Sequence, residues 1–156
     1  MARMAGSEVL PREPLEGHLP ETNNAAALGK PSAGASILVL EDDDGVRPFL
    51  VTILTRAGYS VVDTDNANEA ITLLGSAAVF DLLVADVKMP LFQPHGIAVG
   101  NMARLRQKRI KIIYISADPG HVPNGFIDVA ETPLLSKPIN PKTLLSTVEV
   151  LLAPRK

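Results

Sequence analysis

Residues 37–44 read Ile37-Leu38-Val39-Leu40-Glu41-Asp42-Asp43-Asp44, an unbroken apolar run that stops on a block of acids. A short run without polar alternation is the pattern of a strand buried on both faces, as in a parallel sheet. Past the acids the period changes. Val46, Phe49, Leu50, Ile53 and Leu54 recur at helical spacing until Ala57-Gly58. Pro48 falls in or near the first turn of that helix, where a missing N–H is tolerated. Further along the chain the alternation repeats. Ser60–Thr64 is predicted as a short strand, Ala67–Ala77 as a helix, and Leu82-Leu83-Val84-Ala85 as a second doubly buried strand ending on Asp86. Ile97–Lys108 is predicted as a helix and Ile110–Ile115 as a strand ending at Ser116. A short helix over 121–130, weakened by Pro123, Asn124 and Gly125, precedes the brief strand Leu134-Leu135-Ser136. Lys137-Pro138 comes next, and Pro141–Leu152 is the closing helix.

Five strands alternating with five helices predict an α/β fold, a doubly wound parallel sheet. Ligands of such sheets gather outside the carboxyl ends of the strands. There the polar residues stand: acids after the first strand, Asp86 after the third, Ser116 after the fourth, Lys137 after the fifth.

Composition narrows the function classes. Of 156 residues, 46% are hydrophobic but only 4% aromatic, so the core must be built from Leu, Ile, Val and Ala. The absence of cysteine excludes disulfides, thiolate metal sites and a cysteine nucleophile. A formal net charge of −2 gives no general drive toward nucleic acid or an acidic membrane. No apolar run approaches the roughly 20 residues that span a bilayer, so a cytoplasmic protein without membrane insertion is expected. Residues 1–35 hold four prolines and four glycines and no sustained apolar period. They are expected to form a flexible N-terminal extension ahead of a domain at 36–153.

The rim residues suit one chemistry. Clustered carboxylates repel, and a divalent cation lets them coexist. All-oxygen ligands completed by water suit Mg²⁺ or Mn²⁺. Asp86 fits a nucleophile that forms an acyl phosphate, with Lys137 and the Ser116 hydroxyl stabilising the transferring phosphoryl oxygens. Each residue alone has a plainer reading as a helix-dipole charge, turn residue or loop start. Their order and joint placement is what argues for a site.

Ile37–Asp43, Asp86-Val87-Lys88-Met89-Pro90, Ile113–Ala117 and Ser136-Lys137-Pro138 closely resemble the response-regulator receiver domains of two-component signalling. The resemblance covers residues 36–153 and implies a flavodoxin-like fold with strand order 2-1-3-4-5. It implies phosphorylation at Asp86, a metal held by Glu41, Asp42, Asp86 and the Lys88 carbonyl, a switch hydroxyl at Ser116 and a phosphoryl-contacting Lys137. Three aspartates come after Glu41, so Asp42 and Asp43 are the alternative acidic pair. The family typically has a cis bond before Pro138. A histidine kinase or histidine phosphotransfer protein is the implied donor. The implied output is contact with an unknown downstream protein through the fourth helix, fifth strand and fifth helix, with no output domain. The chain would be a signalling phosphoacceptor with slow autodephosphorylation rather than an enzyme.

Three departures stand out. Leu91-Phe92-Gln93-Pro94-His95 lengthens the loop before Gly96 by about two residues against the family's usual Gly-rich turn. Leu134 stands where receivers often carry a switch Tyr or Phe, and Tyr114 nearby reads as core. Lys88 and Asp118, each two residues past a key position, either pair across the site mouth or are unrelated exposed charges. His18, His95 and His121 read as exposed histidines, and the cations from Arg104 to Lys111 as a solvated face. Two rivals remain: a pseudo-receiver used only as an interaction module, and a metal-dependent aspartyl-nucleophile phosphatase, for which the chain lacks cap sequence.

Overall fold

A computed structural model describes residues 34–122 and 131–154. Its elements are β1 (Ser36–Leu40), α1 (Val46–Arg56), β2 (Ser60–Thr64), α2 (Ala67–Leu74), β3 (Leu82–Asp86), α3 (Gly96–Arg106), β4 (Lys111–Ser116), β5 (Leu134–Ser136) and α4 (Pro141–Leu152). The strands form one parallel sheet in the order β2-β1-β3-β4-β5. This is the doubly wound architecture expected.

Period-2 geometry explains why the apolar runs are unbroken. Leu38, Leu40, Leu83, Ala85, Ile112 and Tyr114 face one side and pack with Ala70 and Leu74 of α2 and Val99 and Ala103 of α3. Their neighbours Ile37, Val39, Leu82, Val84, Ile113 and Ile115 face the other, against Leu50 and Leu54 of α1 and Leu144 and Val148 of α4. A strand covered on both faces has no position left for a polar residue until it ends. The two edge strands are the exceptions: Ser60 and Asp63 of β2 and Ser136 of β5 are exposed.

Among the described residues there are four α-helices rather than five. Pro119–His121 forms a single 3-10 turn, and residues 123–130, most of the helix expected over 121–130, lie outside the described residues, as does nearly all of the N-terminal extension. Two helices also end sooner than their periodicity suggested. Gly75 closes α2. Past Arg106, Gln107 leaves helical geometry, and its side-chain amide donates to the carbonyls of Leu74 (3.0 Å) and Ala78 (2.9 Å) while its oxygen accepts from Phe80 N–H (2.8 Å). One tertiary stitch thus terminates α3 and fixes the α2–β3 connection. No helix among the described residues is long and apolar enough to cross a membrane.

Candidate functional site

Strand order decides which polar ends meet. β1 and β3 are neighbours in register, Leu40 opposite Ala85, so the next residue of each strand, Glu41 and Asp86, emerges at the centre of the rim. This is the point where the order of connection reverses, where α/β sheets open a crevice. Glu41, Asp42 and Asp86 each offer a carboxylate oxygen within 4.8 Å of the others. Lys137 arrives from β5, its N–H donating to the Ser116 carbonyl (2.9 Å). Its Nζ reaches across to Asp86 Oδ2 (2.9 Å) and Glu41 (3.0 Å from Oε1, 2.8 Å from Oε2). The Lys137-Pro138 bond is cis.

Each acid after β1 has a distinct employment. Glu41 is fully buried and Asp86 almost so, whereas Asp42 is exposed. Asp43 turns away: its Oδ1 accepts from Gly45 N–H (2.7 Å) and Val46 N–H (2.9 Å), opening α1. Those two amides hold its carboxyl below the usual range. Asp44 pairs with Arg47 at 2.8 Å. The carboxylates gathered around Asp86 are therefore those of Glu41 and Asp42.

Electrostatics at the centre are strained by burial. Desolvation pushes the Glu41 carboxyl up, and the hydrogen bonds from Lys137 and the Asp43 amide only partly oppose it. For Lys137, burial alone would lower the ammonium, but its bonds to Glu41 and Asp86 outweigh it and the net shift is upward. Three carboxylates face one ammonium, leaving an excess of negative charge. Both Glu41 oxygens lie against the ammonium, Oε1 in hydrogen-bond geometry and Oε2 as an ion pair at 2.8 Å. An oxygen-only donor set from Glu41, Asp42 and Asp86 with surplus negative charge fits a hard divalent cation such as Mg²⁺.

Around Asp86 the backbone is equally constrained. Asp86 Oδ1 accepts from Lys88 N–H (3.1 Å), so the two carboxylate oxygens are held by different partners. Gly96 opens α3 so close beneath that a Cβ there would stand 1.9 Å from the Asp86 carbonyl oxygen. Ser116 is buried at the end of β4, its Oγ accepting from Asp118 N–H (3.1 Å). Lys88 and Asp118 do not pair among the described residues. Asp118 binds exposed His121 instead, Oδ2 to Nδ1 at 2.5 Å, because the 3-10 turn folds His121 back. Tyr114 is core and sits opposite Leu134 in register, both on the α2–α3 side of the sheet.

Two supporting residues escaped the sequence reading. Arg47 donates to the Glu41 carbonyl (3.0 Å) and pairs with Asp63 (3.3 Å), tying the acidic turn to α1 and β2. Its spacing of three from Asp44 was a legible signal. Gln93 accepts from Ala67 N–H (2.9 Å) at the start of α2, and nothing local marks it.

The comparisons with known proteins identify the family. The family model for the response regulator receiver domain matches residues 37–149. The chain is 34% identical over 125 residues to the response regulator receiver protein CpdR of Brucella abortus, covering 74% of this chain and 95% of that protein. It is 32% identical over 124 residues to the sensor kinase CckA of the same organism, 78% of this chain but 13% of the kinase. The structure of response regulator TrrA from Thermotoga maritima, in complex with Mg²⁺-BeF, is 26% identical with a TM-score of 0.65, covering 76% of this chain and 99% of that one. With the fold, the rim and these matches in agreement, the chain belongs to the response regulator receiver domain family.

Proposed function

We propose that this receiver accepts a phosphoryl group on Asp86 from a phosphohistidine of a histidine kinase or phosphotransfer protein, and signals by protein–protein contact. The observation that carries the reading is the Asp86 carboxylate, nearly buried yet held between Lys137 Nζ at 2.9 Å and the acids Glu41 and Asp42. A buried carboxylate cluster is costly to folding unless the charge has a use. The complex of the related TrrA with Mg²⁺-BeF supports it.

In the transfer, an Asp86 carboxylate oxygen bonds to phosphorus as the P–N bond of the donor imidazole breaks. The released ring nitrogen takes a proton from water, and Asp86 is left as an acyl phosphate. A Mg²⁺ ion held by Glu41, Asp42, Asp86 and the Lys88 carbonyl would neutralise charge on the phosphoryl oxygens. Lys137 moves little: its ammonium, already on Asp86, transfers its hydrogen bond to a phosphoryl oxygen. Ser116 Oγ, accepting from the Asp118 amide, keeps its own proton to donate to another. Water attack on phosphorus later breaks the acyl–phosphate bond and restores the carboxylate. With Leu134 at the usual aromatic position, the change at Ser116 passes to packed Leu134 and Tyr114 rather than to a turning ring.

Intact-protein mass with Mg²⁺ and acetyl phosphate tests the reading. One alkali-labile phosphoryl adduct is expected on the wild type and none on Asp86→Ala. An adduct surviving that substitution would move the acceptor away from Asp86, and none with any donor despite intact fold would overturn the reading in favour of a pseudo-receiver.

A further inference from the structure

The lengthened loop after Asp86 carries an apolar tip that no packing among the described residues explains. The loop leaves from and returns to the acceptor: Gly96 N–H donates to the Val87 carbonyl (3.1 Å), and Gly96 packs on the Asp86 carbonyl. Between them, Gln93 N–H donates to the Pro90 carbonyl (3.2 Å), closing a turn with Leu91 and Phe92 at its corners. Phe92 has φ 70° and Leu91 does not share the positive φ, the signature of a type II turn, whose third position favours glycine. A bulky side chain there is a true outlier. Burial does not compensate, since Leu91 is 86% exposed and Phe92 fully so. Nor is the loop loose, because the Gln93 side chain is fastened to Ala67 N–H at 2.9 Å. The tip from Leu91 to Pro94 holds no charged residue.

A phenylalanine in a glycine position, held rigidly in water, destabilises the isolated domain twice, through its backbone and through its exposed ring. Backbone strain of this kind clusters where a partner or ligand makes use of it. The place narrows the partner. A protein donor that brings its imidazole within bonding distance of Asp86 docks on the rim where this loop both leaves and returns, and phenylalanine is among the residues enriched at protein–protein interfaces.

Resting on the phosphoacceptor reading, we propose that Leu91 and Phe92 form the docking knob for the apolar surface of the phosphohistidine-bearing protein, so that the loop selects protein donors while small donors bypass it. The test uses the full chain with Mg²⁺, labelled by acetyl phosphate and by a histidine-phosphorylated protein, taken as whichever of a panel of purified kinases and phosphotransfer proteins labels wild type fastest. Phe92→Gly keeps the turn and relieves its strain. It is expected to slow transfer from the protein roughly tenfold or more, as loss of an interface anchor does, while acetyl phosphate labelling is unchanged and Tm holds or rises. Leu105→Ser, at an exposed apolar position near the far end of α3, should leave both rates unchanged.

An equal loss with both donors would show that the loop shapes the acceptor rather than docking a partner, and would overturn the proposal. So would an unchanged protein rate, or a Phe92→Gly variant that loses self-association in sedimentation while keeping transfer, which would make a second copy the occupant. If no phosphohistidine protein labels wild type but acetyl phosphate does, the docking proposal falls and the phosphoacceptor reading stands. If neither labels it, both fall.

Discussion

Gly96 shows how much of the site depends on a residue with no side chain. Because a Cβ there would meet the Asp86 carbonyl oxygen at 1.9 Å and its carbon at 2.7 Å, Gly96→Ala must push α3 or Asp86 aside. Displacements near 1 Å cost on the order of 100-fold in positioned chemistry. Acetyl phosphate labelling of Gly96→Ala should fall by about that factor, with a lower Tm. At the rim's edge, the Asp118 hydrogen bond raises His121 above the ordinary histidine pKa. With the folded value above the unfolded one, the pair contributes below the unfolded pKa and is lost as pH rises through the folded one. Both groups are exposed, so the effect belongs in an NMR titration rather than in stability. His121 should titrate above the free-histidine range in wild type and return to it in Asp118→Asn. Asp86, Ser116 and Lys137 were legible in the sequence because each stands at the carboxyl end of an expected strand. Which acids accompany Asp86 was not, because four stand in a row and only the turn into α1 takes Asp43 away from the cluster.

Elements declare themselves through their ends. Asn66 caps α2 and Asn140 caps α4, each side chain accepting two backbone N–H groups, with Pro141 supplying the first residue of α4. Asn140→Ala should cost about 1 kcal/mol, read as a lower midpoint in urea with an unchanged slope. Since α4 packs Leu144 and Val148 under the sheet face that holds Ile113 and Ile115, the loss would be global rather than a local fraying. Strand positions were read from the sequence to within a residue, since a doubly covered strand must be apolar throughout. Helix ends were read less well. The Gln107 hydrogen bonds to Leu74, Ala78 and Phe80 that stop α3 span 27 to 33 residues, and no local pattern encodes them.

Across the whole molecule, the site couples to folding through charge. A cation that binds only the folded cluster stabilises it by mass action, about 2.7 kcal/mol at 100 times Kd. Mg²⁺ should therefore raise the Tm of wild type, and Asp42→Asn should lose most of that rise while folding normally, because Asp42 is exposed and supports no packing. The sequence by itself determined the alternation of strands and helices, the two-faced core, and the rim residues Asp86, Ser116 and Lys137, all of which come from local periodicity. The strand order came from the family resemblance, not from periodicity. Tertiary structure alone decided that Lys137 meets a glutamate 96 residues away, that Asp118 turns to His121 instead of Lys88, and that Phe92 stands exposed on a strained turn. The physical reason is that periodicity states which face of an element is apolar, whereas these approaches depend on how strands are ordered and how loops close between them.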